Sequence, residues 1–247
     1  MANSEWKVET LLPGSWRSAT SVLLTKQGQH VVVDTGMPHE AHLLVEALQR
    51  HNLSTSDISG VINTHFHFDH VLNNSLFPAS VIYSTQESHD WCCSLYSDLR
   101  DDRDWEKRLL KYYPEIYEYD HAVTHMHQLR KLTLRWWDQS RLGSPSQHHW
   151  LESNALPDGL EVVVTSGHVP GHISLVIPGA DYNTVVAGDA CLSRAEDTEV
   201  LTMIPRDREQ FRDEPCSQTH AVEAQEVRES HFLRLRTALP SRCLWHG

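Results

Sequence analysis

Two short apolar runs near the start of the chain predict a β-hairpin. Residues 19–24 and 31–33 are rich in Val, Leu and Thr, and the polar segment 26–29, which contains a glycine, separates them. Apolar, β-branched runs on both sides of such a turn are typical of two antiparallel strands. The second strand ends at Asp34, an acidic residue followed by turn residues. Its side chain is expected either to cap the next helix or to orient a metal-ligating histidine.

Helical and strand patterns are mixed along the rest of the chain, which predicts an α/β protein. Apolar residues recur at helical spacing in residues 39–51 and 220–239, so we expect an amphipathic helix in each segment. Short apolar runs bounded by turn residues predict the other strands. These strands are residues 61–63, 81–83, 160–165, 173–177, 184–187 and 199–204. Together the elements predict a single domain spanning residues 1–247.

The middle of the chain, residues 85–150, is dominated by helical patterns in which Trp and Tyr alternate with Arg and Asp. It is too long for a loop and too aromatic for a disordered linker. We expect a helical insertion, ending by about residue 155, that shapes a substrate pocket; the alternative is that most of its aromatic side chains only pack the helices on the sheet. Two histidine pairs in it are expected on solvated surfaces: His121 with His125, and His148 with His149.

Charge and composition narrow the classes of function. There are 33 acidic and 21 basic side chains, a net charge of −12, which disfavours binding along a nucleic-acid backbone. A local basic strip is still open, formed by Arg130, Lys131, Arg135 and Arg141. No apolar run reaches the length of a membrane span, and the N-terminus lacks the pattern of a signal peptide. We therefore expect a cytoplasmic protein without a membrane segment, in which the five cysteines are reduced.

The densest chemistry follows the strand at residues 61–63. Four potential metal ligands lie within six residues: His65, His67, Asp69 and His70. The first two histidines are two apart in an extended chain, so their side chains point to the same side. The other two ligands lie where the chain turns and can face a second position. Imidazole and carboxylate groups at this density suit zinc, although a histidine-rich surface loop is the alternative.

Five motifs along the chain, taken together and in order, resemble those of the metallo-β-lactamase superfamily. They are Asp-Thr-Gly at 34–36, His-x-His-x-Asp-His at 65–70, Gly-His-x-x-Gly-His at 167–172, Gly-Asp at 188–189 and His-Gly at 246–247. The resemblance implies an α/β fold built as a four-layer αββα sandwich, with the helical insertion added to it. It also implies a dinuclear metal site at one edge of the sheets.

The resemblance further implies a role for each motif residue. The first metal would be held by His65, His67 and His172, the second by Asp69, His70 and His246, with Asp189 bridging the two. Asp34 and His168 would support these ligands without binding metal, and Asp69 would also accept or return a proton during turnover. We expect two zinc ions per chain, with iron or manganese as alternatives. Because His246 is the penultimate residue, the second ion is expected to be held weakly.

The leading functional hypothesis is a hydrolase that uses a metal-bridging hydroxide on a small ester, lactone or thioester. A phosphodiesterase or nuclease is the second hypothesis, because residues 74–78 are similar to members related to metallo-β-lactamase domain-containing protein 1, a group linked to RNA processing. A non-catalytic binding module is the third. Leu192 stands where acyl-homoserine lactonases of this fold have Tyr, which weakens the lactone option. We expect a small-molecule substrate rather than nucleic acid or a membrane, and leave the oligomeric state open, a dimer included.

Overall fold

The computed structural model describes residues 5–14, 18–114, 122–180, 182–190 and 232–236. Within these residues ten strands form two sheets, and five α-helices pack around them. The strands are β1 (Lys7–Leu12), β2 (Ser21–Lys26), β3 (Gln29–Val33), β4 (Gly60–Ile62), β5 (Val81–Ser84), β6 (His148–Trp150), β7 (Glu161–Val164), β8 (Ile173–Ile177), β9 (Tyr182–Val186) and β10 (Phe232–Arg236). The helices are α1 (Ala41–Arg50), α2 (Phe68–Val71), α3 (Gln86–Arg100), α4 (Trp105–Leu109) and α5 (Ala122–Trp136).

The larger sheet has six strands in the order β1-β2-β3-β4-β5-β6. Its first three strands are antiparallel, and the predicted hairpin is confirmed as β2 and β3. Gln27 and Gly28 form the two-residue turn, with φ of 52° and 80°. Two left-handed residues in succession match the twist of the flanking strands. From β3 to β6 the strands are parallel, so the carboxyl ends of β3 and β4 lie at one edge.

The smaller sheet is antiparallel throughout, in the order β10-β9-β8-β7. Its last strand corrects the prediction of a helix at residues 220–239, because residues 232–236 pair with β9. In this segment leucine and arginine alternate with a period of two, which is the strand period rather than the helical one. The other residues of the predicted helix, and the strand predicted at 199–204, lie outside the described residues.

Apolar side chains fill both faces of the larger sheet. Between the two sheets, Val22, Leu24 and Val33 of the larger sheet pack against Leu175 and Val186 of the smaller one. Strand residues point alternately to opposite faces, so the intervening side chains of the larger sheet pack on the other side, beneath α1. The described residues thus supply three successive layers: helix, sheet and sheet. The prediction of one domain over residues 1–247 stays a prediction, because residues 191–231 and 237–247 lie outside them.

The predicted insertion contains α3, α4 and α5, which share an apolar core with the segment around α2. Tyr96 of α3 is fully buried and its ring lies 4.3 Å from that of Trp137. Trp105 is also buried there, so these aromatic side chains pack helices together, as the alternative interpretation had it. None of the helices in the described part of the chain is long and apolar enough to cross a bilayer. Cys92 and Cys93 are free thiols, and the other three cysteines lie outside the described residues.

The end of the insertion is a strand and not a solvated surface, which corrects the prediction for His148 and His149. Both belong to β6, which extends the larger sheet by pairing with β5. His148 is half-buried and stacks on Trp150, with 4.9 Å between the ring centroids. His121 and the side chain of His125 lie outside the described residues. The two neighbouring histidines form an edge strand because their backbone pairs with β5.

The half-buried position of His148 predicts a pH-dependent stability. Burial, and then the nearby His89, lowers the pKa of His148 from 6.5 to about 4. The unfolded chain therefore takes up a proton at a higher pH than the folded protein. The stabilisation that neutral His148 contributes is complete above pH 6.5 and is lost as the pH falls towards 4. The free energy of unfolding is expected to fall by about 1–2 kcal/mol over this range, after allowance for partial exposure.

Urea unfolding of the wild type and of His148→Gln at several pH values between 7 and 4 would test this. The difference in unfolding free energy between the two proteins is expected to shrink as the pH falls. His42→Gln, on the exposed side of α1, is the control and should show no such trend. A constant difference over the whole range would contradict the prediction.

Candidate metal centre

The histidine-rich motif occupies the turn that follows β4. β4 ends at Ile62, with two residues between it and the motif, and α2 begins at Phe68 and carries Asp69 and His70. The start of β8 is attached to this turn, because the backbone N–H of Ile173 donates to the carbonyl of Thr64 at 2.9 Å. This contact brings the smaller sheet's loops against the motif. Residues from both sheets therefore meet at one edge.

Four side chains converge in a buried group: His65, His67, His168 and Asp189. One ligand atom from each lies within 4.8 Å of the others. His67 Nδ1 lies 3.0 Å from His65 Nε2 and 2.9 Å from His168 Nε2. The same nitrogen of His168 lies 3.2 Å from Asp189 Oδ2. Three imidazole nitrogens and a carboxylate oxygen this close together form a donor set that suits zinc.

The two histidines of the Gly-His-x-x-Gly-His motif make different contacts. His168 belongs to the converging group, whereas both ring nitrogens of His172 are engaged elsewhere. His172 Nδ1 lies 2.7 Å from the hydroxyl of Thr165, and its Nε2 accepts the backbone N–H of Asp189 at 3.2 Å. In this arrangement the lone pair of His172 Nε2 faces the N–H of Asp189. The metal-ligand role predicted for His172 and the supporting role predicted for His168 both stay predictions.

A second group lies on the other side of Asp189. His70 Nε2 is 3.2 Å from Asp189 Oδ1 and 3.8 Å from Asp69 Oδ2. This nitrogen is buried and has no hydrogen-bond partner. A buried polar atom without a partner is costly unless something else satisfies it, and a cation between these groups would do so. His246, predicted to complete this group, lies outside the described residues.

Asp34 binds Nδ1 of His70, the ring nitrogen opposite the one that faces Asp69 and Asp189. Its Oδ2 lies 2.8 Å from His70 Nδ1 and accepts the hydroxyl of Thr64 at 2.8 Å, while its Oδ1 accepts the backbone N–H of Thr64 at 2.9 Å. The residue has a left-handed φ of 52°, which costs about 1–3 kcal/mol outside glycine. Three buried contacts hold it in that conformation. Asp34 therefore lies where the predicted orienting role requires, with His70 Nδ1 bound to it and His70 Nε2 directed at the carboxylates.

Comparison with known proteins explains this arrangement. A sequence model of the metallo-β-lactamase superfamily matches residues 14–214, which is most of the chain. The chain belongs to the metallo-β-lactamase superfamily. Metallo-β-lactamase domain-containing protein 1 of Xenopus laevis is 28% identical over 195 residues, which cover 78% of this chain. The match spans 63% of that relative's length, somewhat less than two thirds.

Solved structures show the same fold at low identity. A candidate metallo-β-lactamase from Thermotoga maritima is 16% identical, with a TM-score of 0.53 over 85% of this chain and 91% of its own. A mutant of AiiA from B. thuringiensis, with N-decanoyl-L-homoserine bound at its active site, is 17% identical, with a TM-score of 0.50 over 86% of this chain and 89% of its own. The predicted family and the metallo-β-lactamase fold are confirmed.

In this member of the superfamily, burial and charge set the protonation of the donor groups. Burial lowers the pKa of His65 and of His67 well below the usual range, so both are neutral and offer lone pairs. Burial alone would raise the pKa of Asp189, but His70 and the hydrogen bond with His168 hold it well below its usual range. Neutral imidazoles around a permanent carboxylate are the protonation states in which these groups bind metal. The residues fit the divalent metal that the superfamily implies.

In the second group the pKa values move in the opposite direction. Burial would lower the pKa of His70, but Asp189, Asp34 and Asp69 together raise it well above the usual range. Burial raises the pKa of Asp69, and nearby Asp189 reinforces the effect, while His70 opposes it. The raised pKa values favour a proton among these groups. A cation bound here would have to displace it, because both act on the same lone pairs.

Thr64 and Thr165 are site residues that the sequence analysis missed. Thr64 lies directly before the motif and joins Asp34 to His65, whose Nδ1 is 3.1 Å from the threonine hydroxyl. A hydroxyl residue adjacent to the first histidine was a signal that could have been used. Thr165 contacts His172 only because β7 and β8 pair, so nothing local in the sequence indicates it.

The hydroxyl of Tyr96 supports α2 and gives a testable effect on stability. It accepts the backbone N–H of Phe68, the first residue of α2, at 3.2 Å in a fully buried position. Tyr96→Phe leaves that N–H without a partner, which is expected to lower the unfolding free energy by about 1–3 kcal/mol. Chemical unfolding would measure the loss. Tyr83→Phe, on the half-buried ring of β5, should change it by less than about 0.5 kcal/mol. Equal effects of the two substitutions would contradict the role of this contact.

Proposed function

We propose that this protein is a zinc-dependent hydrolase that acts on a small ester, lactone or thioester. The convergence of His65, His67, His168 and Asp189 in a buried site carries the proposal. Zinc bound there would activate a water molecule for attack and stabilise negative charge that develops on the substrate. Iron or manganese would also suit a donor set of imidazoles and carboxylates.

The position of Asp189 supports a site for two ions. Its Oδ2 faces His168 and its Oδ1 faces His70, each at 3.2 Å from the ring nitrogen. A carboxylate that presents one oxygen to each group can serve both at once. We propose that Asp69, His70 and His246 form the second position with it. The participation of His246 rests on the sequence motif.

Asp69 is proposed to carry a proton during turnover. Its side chain is 30% exposed, so it lies at the opening of an otherwise buried group. The raised pKa of Asp69 makes it a better proton acceptor than an ordinary carboxylate. A proton taken up there would be available for a leaving alkoxide or thiolate.

Aromatic side chains beside the group favour an organic substrate. The ring of Trp91 lies 6.3 Å from that of His67. Tyr112 and Tyr113 pack edge-on against Trp91, at 5.4 and 5.7 Å. An aromatic surface of this kind suits a substrate that has an apolar group next to the reacting carbonyl. Because AiiA has N-decanoyl-L-homoserine at its active site, acyl-homoserine lactones belong among the substrates to be tested.

The phosphodiesterase alternative is less well supported by the described residues. Arg130 of the predicted basic strip binds Asp102 and the carbonyl of Leu99, and Arg141 lies 3.9 Å from Asp138. Asn74, the first residue of the segment 74–78, is fully buried and bonded to Asn63 and Thr35. These side chains serve local structure, and the net charge of −12 opposes a polyanion.

The full chain, loaded with zinc, would be assayed in parallel on an acyl-homoserine lactone, an acyl thioester, a simple aryl ester and bis-p-nitrophenyl phosphate. Metal content would be measured on the same sample. Hydrolysis of at least one carboxylic substrate is expected, with a loss of at least about 100-fold in His67→Ala. His42→Ala, which removes an exposed imidazole from α1, is the matched control and should keep full activity.

The other outcomes separate the competing functions. Cleavage of the phosphodiester alone would replace the proposal with the phosphodiesterase. Stoichiometric zinc without turnover of any substrate would favour the binding module. Activity that survives in His67→Ala would show that the converging group is not where the chemistry takes place.

A further inference from the structure

We propose that the first turn of α3 positions the metal centre, with Ser88 and Thr85 as its positioning residues. Ser88 binds the backbone of the first histidine loop, residues 65–70, and Thr85 binds that of the second histidine loop, residues 167–172. The inference rests on the proposed function only in taking these two loops as the ones that carry metal ligands. It gives the helical insertion a task in building the centre itself.

Ser88 accepts a hydrogen bond from the middle of the first histidine loop. The backbone N–H of Phe66, which lies between His65 and His67, donates to the Ser88 hydroxyl oxygen at 3.0 Å. Ser88 and Phe66 are both fully buried, so solvent does not supply another acceptor. A buried N–H that loses its acceptor is costly. The position of Ser88 therefore determines where the backbone between the two histidines lies.

Thr85 binds the second histidine loop with the same hydroxyl that caps the helix. The hydroxyl oxygen accepts the backbone N–H of Ser88 at 3.3 Å, and the hydroxyl hydrogen is donated to the carbonyl of Gly171 at 2.5 Å. Both directions are fixed, because an amide N–H can only donate and a carbonyl can only accept. Gly171 directly precedes His172. One side chain thus begins α3 and holds the second loop.

Gly171 lies directly against this turn of helix. An added Cβ would lie 2.7 Å from the backbone nitrogen of Ser88, 2.7 Å from the Thr85 hydroxyl and 2.9 Å from Cβ of Glu87. Only a residue without a side chain allows the backbone of a loop to approach a helix this closely. The second histidine loop therefore cannot shift towards α3, and the hydrogen bond from Thr85 opposes a shift away from it.

Ser88 is the centre of a continuous connection between the two loops. Its hydroxyl accepts from Phe66, and its backbone N–H donates to Thr85, which in turn donates to Gly171. The two loops are also joined where β8 starts, by a backbone hydrogen bond to the residue before the motif. Two separate links therefore fix the distance between the loops. The spacing of ligands that come from different loops depends on that distance.

The same helix carries the aromatic surface beside the metal centre. Trp91 follows Ser88 by three residues within α3, and its ring lies 6.3 Å from that of His67. The helix fixes Trp91 relative to Ser88, and Ser88 binds the backbone next to His67. The first turn of α3 therefore also sets the distance between the aromatic surface and the metal ligands.

Ser88→Ala removes the acceptor of the Phe66 N–H. The zinc affinity of the full chain, measured by competition with a chromophoric chelator, is expected to fall about tenfold, the lower end of the range for loss of a supporting group. Ser80→Ala is the matched control and should leave the affinity unchanged. Ser80 is also buried, but it donates to Ile58 at the amino end of β5, the sheet edge opposite the motif. Equal zinc affinity in Ser88→Ala and the wild type would overturn the proposal.

Three substitutions of Thr85 separate the contact with Gly171 from the helix cap. Thr85→Val removes the hydroxyl and should weaken zinc binding about tenfold, whereas Thr85→Ser should stay within about twofold of the wild type. Thr85→Asp can still cap α3 as a carboxylate, but it cannot donate to Gly171, so its zinc affinity should fall as in Thr85→Val. Normal zinc affinity in Thr85→Asp would show that only the cap matters and would refute the role of the contact with Gly171.

Hydrogen exchange of the metal-free chain tests the contact of Ser88 without zinc. The amide of Phe66 is expected to exchange at least about tenfold faster in Ser88→Ala than in the wild type. Thr133→Val, which removes a buried hydroxyl within α5, should leave this amide unchanged. An equal acceleration at the amides of β4 would indicate a general loss of stability and would count against a positioning role.

None of these measurements uses turnover. If zinc affinity and amide exchange respond as expected while no substrate is hydrolysed, the positioning role of Ser88 and Thr85 holds and the proposed function fails. If a carboxylic substrate is hydrolysed while Ser88→Ala, Thr85→Val and the wild type bind zinc equally, the proposed function holds and the positioning role fails.

Discussion

Replacement of His65 by alanine is expected to weaken zinc binding by more than about 100-fold and to abolish turnover. Loss of a residue that only supports a ligand already costs about 10–100-fold in affinity, so loss of a ligand should exceed that range. His65 Nε2 lies 3.0 Å from His67 Nδ1 and 3.8 Å from Asp189 Oδ2, within the converging group. Chelator competition at a fixed pH would measure the affinity.

A matched control makes this result decisive. The exposed His42→Ala should bind zinc as the wild type does. Zinc affinity that is unchanged in His65→Ala would contradict a metal site in the converging group. His168→Ala and His172→Ala, measured in the same way, would show which histidine of the Gly-His-x-x-Gly-His motif binds the metal.

Substitution of Gly188 by alanine is expected to have the second large effect. The left-handed φ of 55° costs a residue with a side chain about 1–2 kcal/mol. The added Cβ would also lie only 2.8 Å from Thr64 and 2.9 Å from His172 Nε2, which forces the segment away from both. Together these effects should lower the unfolding free energy by about 2–4 kcal/mol and weaken zinc binding, because Asp189 moves with the segment.

Gly28→Ala separates the cost of the left-handed backbone from the cost of the close contacts. Gly28 has a left-handed φ of 80° in the hairpin turn, but an added Cβ there would meet nothing within 4 Å. This variant should lose only the backbone cost, about 1 kcal/mol, and should bind zinc normally. Urea unfolding and chelator competition on both variants would measure the difference. Equal losses of stability, with zinc binding intact in Gly188→Ala, would contradict the close packing described around Asp189.

The sequence alone could not show where the two histidines of the Gly-His-x-x-Gly-His motif point. His168 and His172 are four residues apart, and nothing in that spacing distinguishes them. The left-handed turn at Gly171, with φ of 70°, separates their directions. After it, His172 is adjacent to β8 and meets Thr165 across the strand pair, whereas His168 reaches His67. The strands β6 and β10 were missed because each is short and exists only through pairing with a neighbour.

By itself the sequence determined the hairpin, the helix α1, the family and the close grouping of His65, His67, Asp69 and His70. These features depend on local periodicity, turn chemistry and motif order, which do not change with the rest of the fold. Only the tertiary structure decided which distant groups join them: Asp34 at Nδ1 of His70, His168 beside His67, and Asp189 between the two groups. Such contacts form between residues far apart in the chain, where hydrogen bonds across paired strands and sharp turns set the direction of each side chain.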